Sequence, residues 1–245
     1  LQKSCDYYLR LAEQQENKTR AYLALAKTYF EMQDYTSSIY YIEALLDNKD
    51  ALSKYELSEL YGDIALCHAA LKHIGVGQAS IRRSLELNEN DPDTLIVAGR
   101  FFLMEAKACN DETAKAENQA KGELYFRQAL NLIMEDERLD YLFTIGAACF
   151  DTQNFKLAAQ YYEQINREFP DNAPATYFFL AYCYFYLEEA ISCMHYIAKM
   201  KHELPDAYSN LGTSDSILSD TRFNELMRNL KDSVNNGKVD LDNFL

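Results

Sequence analysis

The stretch from 139 to 172 restricts the fold more than any other part of the chain. Leu142, Ile145, Gly146, Cys149, Phe155, Ala158, Tyr162 and Ile165 recur at spacings that suit two antiparallel helices, and Pro170 stands where the second helix has to stop. The small residues decide the reading. Gly146 and Ala158 let two helical backbones approach closely, and Phe155 fills the corner between them. A helical hairpin of this kind cannot bury its apolar face alone; it needs similar neighbours stacked against it.

That order of residues resembles the tetratricopeptide repeat. In that family two helices are shaped by large residues at positions 4 and 7, small ones at 8 and 20, aromatics at 11, 17 and 24, an alanine-like residue at 27 and a proline at 32. Residues 139–172 match it best, departing at Cys149, where a tyrosine is usual, and at Ile165, where an alanine is usual. The same frame fits residues 19–52 (Tyr22, Leu25, Ala26, Tyr29, Tyr35), 58–91 (Tyr61, Ile64, Ala65, His68, Gly77), 92–135 (Leu95, Ala98, Gly99, Phe102, Gly122, Phe126) and 174–204 (Tyr177, Leu180, Ala181, Tyr184, Ala190). Tyr8, Leu11 and Ala12, within 1–17, look like the second helix of a repeat whose first helix is absent, so the chain reads as a piece of a longer polypeptide.

The small residues at positions 26, 65, 99, 146 and 181 are separated by 39, 34, 47 and 35 residues. The first surplus falls around residues 50–58. The second falls in 105–123, a segment rich in Ala, Lys and Glu that is predicted to lengthen both helices of the third repeat, with Asn110 or Asp111 capping the second. The fifth repeat is shorter between its helices. Residues 205–216 read as a connecting loop. Over 216–235, Leu218, Phe223, Leu226, Met227 and Leu230 share one face behind an N-cap at Asp220, which predicts a capping helix; the polar tail 236–245 ends in Phe244 and Leu245, a candidate docking motif. The resemblance therefore implies an all-α fold: a right-handed superhelical solenoid of antiparallel helix pairs, one domain over 1–245, with about five repeats, a half repeat before them and a capping helix after them.

Composition narrows the function. With 8 Gly and 4 Pro in 245 residues, long helices with short links are favoured over a many-turned β fold. The uncharged run FFLAYCYFY at 178–186 is far shorter than the ~20 apolar residues a membrane helix needs. A net charge of −14 argues against nucleic-acid binding, which needs a basic face, and favours encounter with a basic partner. The 6 cysteines form no CxxC and stand at no zinc spacing, so they read as free, mostly buried thiols of a reducing, cytoplasmic compartment. His68, His73, His195 and His202 form no HExxH, and no glycine-rich phosphate loop is present. No cofactor, metal site or catalytic constellation is expected, and the protein does not read as an enzyme.

Repeats of the tetratricopeptide kind line a concave groove with particular positions of their first helices. Carried onto this sequence, those positions give Leu23, Lys27 and Phe30; Gly62, Leu66 and Ala69; Ile96, Arg100 and Leu103; Phe143, Ala147 and Phe150; and Phe178, Tyr182 and Phe185. The groove is expected to be mostly apolar, aromatic toward its C-terminal end, with Lys27 and Arg100 as isolated cations. Co-chaperones of the family that grip a chaperone's terminal carboxylate use Lys and Asn, then further Asn, Lys and Arg, where this chain has Leu23 and Lys27, then Asp63, Asp93 and Val97, so that ligand is not implied. The reading is a non-catalytic interaction scaffold or adaptor that binds a hydrophobic peptide or helix. The alternatives are a regulatory or sensor segment of a larger signalling or transcription-regulating polypeptide, and a self-associating module in which a homodimer or the protein's own tail fills the groove.

Overall fold

The computed structural model describes residues 1–47, 49, 52–210 and 217–235, and among them there is no β-strand. The chain is all-α and divides into two compact units, 1–133 and 134–245.

The first unit opens with α1 (Gln2–Ala12), followed by three antiparallel pairs: α2 (Lys18–Glu31) with α3 (Tyr35–Leu46), α4 (Lys54–Ala70) with α5 (Ile74–Leu87), and α6 (Pro92–Ala108) with α7 (Glu112–Leu130). Four of these helices, α3, α4, α6 and α7, start where a polar side chain satisfies an unpaired amide. Ser53 and Glu56 form a reciprocal capping box at the head of α4. The Asp91 carboxylate accepts from the Thr94 amide at 2.8 Å, and that of Asp111 from Ala114 at 2.7 Å. Asp111, rather than Asn110, is therefore the cap of the lengthened third pair.

The packing positions are filled as the repeat pattern requires. Ala26, Ile42, Leu45, Leu60 and Ile64 form one buried cluster, and Ala65, Leu66, Ala69, Ile81, Ala98 and Phe101 the next. Burying a Leu, Ile or Phe side chain is worth roughly 1.5–3 kcal/mol. The closest approach is between α6 and α7. A Cβ on Gly99 would stand 2.4 Å from the Phe126 ring and 3.0 Å from the Gly122 carbonyl oxygen, so no larger residue fits there. Polar ties run between the layers as well. The Ser84 hydroxyl donates to the Ser58 carbonyl at 2.7 Å, and Thr94 lies 3.1 Å from the Ser58 hydroxyl. Along the outer pairs, Gln78 donates at 3.1 Å to the buried Glu105, whose carboxyl is raised by burial.

The second unit contains α8 (Arg138–Asp151) paired with α9 (Phe155–Glu168), a 3₁₀ stretch at Pro170–Thr176, then α10 (Tyr177–Tyr186) paired with α11 (Ala190–Glu203). Gly146 marks a close crossing and accommodates Tyr162: a Cβ there would meet the Tyr162 ring at 2.8 Å. Arg138 and Glu168 join the start of α8 to the end of α9 through a 2.7 Å ion pair. The Glu163 carboxylate on α9 accepts from the hydroxyls of Tyr184 at 3.0 Å and Tyr196 at 2.7 Å, and the two tyrosine rings stack. Burial, and after it that carboxylate, pushes both phenols above their ordinary range.

The pairs α2/α3, α4/α5, α8/α9 and α10/α11 share one turn. Gln33, Lys72, Gln153 and Glu188 hold φ of 60, 62, 63 and 60°. The next amide then reaches back five residues: Asp34 to Tyr29 at 2.9 Å, His73 to His68 at 2.8 Å, Asn154 to Cys149 at 2.8 Å and Glu189 to Tyr184 at 2.9 Å. This is the Schellman closure of a helix, here made without glycine.

Two sequence expectations are revised beyond α11. Residues 205–210, read as loop, form a short helix α12 (Pro205–Asn210), which begins at a proline with Asp206 in its first turn, both favourable at a helix start. The helix expected over 216–235 is α13 (Thr221–Asn235), preceded by a 3₁₀ turn at Ile217–Ser219 and capped by Asp220, whose carboxylate accepts from the Arg222 amide at 2.8 Å. On its predicted apolar face, Phe223 is buried and Leu226 and Met227 are half-buried. The Leu230 side chain and the tail with Phe244 and Leu245 lie outside the described residues.

Candidate functional site

In the first unit, α2 does not come as close to α4 as α6 does. This is where the 39-residue spacing inserts extra residues between repeats. A cavity of about 460 Å³ fills the gap, with walls from α2, α4 and α6. Leu23, Leu45, Leu60 and Val97 give it apolar sides, Ser58, Ser84 and Thr94 lie beneath it, and Lys27, Arg20, Glu59 and Asp63 carry its charge. Gly62 shapes the floor: a Cβ there would stand 2.9 Å from a Val97 methyl, so the missing side chain brings α6 against α4.

Asp63, which the sequence analysis names only as a departure from the carboxylate-gripping pattern, lines this cavity. It keeps some surface through the cavity mouth, but its carboxylate is pushed up to about 6 by burial; Lys27 and Arg100 draw it down, and Glu59 adds to the rise. Lys27 and Arg100 are thus not isolated cations in an apolar groove. Arg100 also lies over the Phe30 ring at 5.7 Å, and Phe30 meets Tyr35 edge-on at 5.4 Å. Lys27 is exposed on the cavity wall; Phe30 and Arg100 are half-buried. Leu66 needs correction. It is 3% exposed and packs in the core with Ala98 and Phe101, so it presents no surface to a ligand. A shallower recess of about 610 Å³ lies among α5, α6 and α7, beside Arg82, Glu86, Tyr125 and Leu132, where the sequence suggested no site.

In the second unit the run FFLAYCYFY is helix α10. Leu180, Ala181 and Cys183 are buried, while Phe178 is 39% exposed and Tyr182 half-buried. Phe178 and Tyr182 lie 4.5 Å apart between ring centroids; Tyr182 meets Phe150 at 6.3 Å, and Phe143 lies 6.4 Å from Tyr162. Phe143, Phe150, Phe178 and Tyr182 therefore form a continuous aromatic surface only in part; Phe143 packs inward on Tyr162. Phe185 is corrected from groove residue to covered residue. It is 5% exposed, meets Phe223 of α13 at 6.3 Å, and carries the Arg222 guanidinium over its ring at 5.2 Å. The Ile217 amide donates to the Tyr182 hydroxyl, and Ile217 is itself buried. The protein's own C-terminal segment thus occupies one end of the aromatic face.

The remaining reactive groups are packing residues. Cys5, Cys67, Cys149, Cys183 and Cys193 are buried free thiols; burial pushes Cys67 up to about 11 and Cys183 and Cys193 up to about 12, which keeps them protonated. His68 sits 5.7 Å from His73, and burial lowers its basicity. Among the described residues no three His, Cys, Asp or Glu side chains converge on a metal-sized site, and no helix is long and apolar enough to cross a membrane.

Residues 19–51 match the family model of the tetratricopeptide repeat. A comparison with curated proteins finds no match. Among solved structures, the chain resembles the crystal structure of PilW, a widely conserved type IV pilus biogenesis factor, with a TM-score of 0.55 at 18% identity over 88% of this chain and 93% of that one. At that identity the likeness is one of fold. The segment over α2 and α3 is thus a tetratricopeptide repeat, and the helix pairs that follow it share its helical-hairpin form.

Proposed function

We propose that the chain is a non-catalytic protein–protein interaction scaffold whose first unit receives a segment of a partner protein in the cavity between α2, α4 and α6. The observation that carries this reading is the cavity itself. At about 460 Å³ it falls in the range of ligand sites, and apolar walls with a few charged groups suit an inserted side chain better than water. The aromatic face of the second unit is the weaker candidate, because Ile217 and Phe223 already occupy part of it.

The test is a peptide-display selection against the intact chain, with the recovered peptides titrated on two variants. Leu23→Glu places a charge on the apolar wall and is expected to weaken binding at least tenfold. Phe178→Ala, on the other unit, is expected to leave it unchanged. The reading fails if no peptide is enriched, or if Leu23→Glu, with helicity intact, binds as the parent does.

A further inference from the structure

The groups facing the cavity are unevenly charged. Glu56, Glu59, Asp63 and Asp93 stand against Arg20 and Lys27. Two of the carboxylates are engaged locally: Glu56 accepts from Ser53 in the capping box, and Glu59 accepts from the exposed Tyr55 hydroxyl at 3.4 Å. Asp63 differs from both. Its carboxylate is the deepest, and Lys27 and Arg100 act on it through space. A carboxylate held this deep is a costly feature for a fold to keep. Lys27 on α2 and Arg100 on α6 offset part of that cost, but burial still outweighs them.

We propose that the cavity is a subsite for a cationic side chain, with Asp63 at its floor receiving the lysine or arginine of a partner segment whose flanking apolar residues lie against Leu23 and Val97. This rests on the reading that a partner segment docks in the cavity, and it adds the chemistry of the anchor. A glutamate or aspartate side chain would meet Asp63 and Glu59 at close range and is excluded by repulsion. A neutral apolar side chain would strip more water from Asp63 without returning a hydrogen bond. A guanidinium or ammonium returns charge-assisted bonds to that carboxylate in a site with little competing water. The net charge of −14 acts in the same direction at longer range, since it speeds encounter with a basic segment.

Four blocked tripeptides test this, N-acetyl-leucyl-X-leucine amide with X arginine, lysine, citrulline or glutamate. Each is titrated to millimolar concentration into the intact, isotope-labelled chain while the amides of Gly62, Asp63 and Val97 are followed. The arginine and lysine peptides are expected to shift these amides and to bind at least tenfold more tightly than citrulline, which keeps the shape of arginine without its charge. Asp63→Asn is expected to cut the affinity for the arginine peptide at least tenfold and leave citrulline unaffected. Glu59→Gln serves as a second variant at the same wall and is expected to give a smaller loss of the same sign. Equal binding of citrulline and arginine, preference for glutamate, or an arginine preference that survives Asp63→Asn would overturn the cationic subsite. The docking reading would stand in all three cases, because the cavity amides would still respond. If no peptide moves those amides, the cavity is not where a segment docks, and both readings fall together.

Discussion

At the scale of single residues, Asp63 sets the behaviour of the first unit. An unfolded Asp titrates near 4, whereas in the fold its carboxyl is pushed up to about 6. A raised carboxyl means that the folded state holds the proton more tightly than the unfolded one. This contribution is absent below about pH 4, where both states are protonated. It becomes a growing penalty as pH rises from about 4 to 6, and it is felt in full at pH 7. Asp63→Asn removes the charge at every pH. The variant is therefore expected to be about 2 kcal/mol more stable than the parent at pH 7.5 and equal to it below pH 4, a magnitude discounted for the water that reaches the cavity mouth. Urea denaturation of both proteins at pH 4, 6 and 7.5 checks this; a constant difference across the series would remove Asp63 as the source. The same variant is expected to gain stability while losing a basic ligand, as when a binding group is held at the expense of the fold. Asp63 was legible in the sequence as a position but not as a buried carboxylate. The repeat frame aims Gly62 and Leu66 at the groove and places Asp63 only where the carboxylate-gripping relatives differ; its depth in the cavity depends on the packing of α2, α4 and α6.

At the scale of elements, the helix pairs were legible because each depends on local rules. Apolar periodicity marks their faces, small residues such as Gly99 and Gly146 mark the close crossings, and Asp111 marks the start of a lengthened helix. The four Schellman turns were not legible, since nothing in Gln33, Lys72, Gln153 or Glu188 signals a left-handed backbone; the stacked pairs impose it. A non-glycine residue in that region gives up roughly 1 kcal/mol or more. Gln153→Gly is accordingly expected to raise stability by about 0.5 kcal/mol, after the greater freedom it gives the unfolded chain is subtracted. Gln153→Val, β-branched at the same φ of 63°, is expected to lower it by about 1–2 kcal/mol. Chemical denaturation of the two variants beside the parent reads the order directly, and a valine variant as stable as the glycine one would show that the turn is not strained. α12 escaped the sequence reading for the opposite reason: six residues carry too little periodicity to separate a helix from a loop.

At the scale of the whole molecule, a stack of repeats has ends, and the apolar face of the last pair must be covered by something. Here α13 covers it by placing Phe223 against Phe185, with Arg222 over the rings of Phe185 and Tyr186 at 5.2 and 5.3 Å. The apolar face of this helix was legible in the sequence but its seat was not, because position 185 belongs to the groove in the family frame and only the fold shows that the chain's own end returns to it. If the cover is chiefly structural, cutting back its anchor costs stability and exposes aromatic surface together. Phe223→Ala is expected to lower the stability of the second unit by about 2–3 kcal/mol, near the low end for a buried phenylalanine because its ring keeps some exposure. It should also raise binding of a hydrophobic dye, while the tripeptide titration in the cavity of the first unit stays as it was. Were the variant as stable as the parent and no brighter with the dye, Phe223 would not be the residue that closes this face, and Phe185 would return to the surface available for a partner.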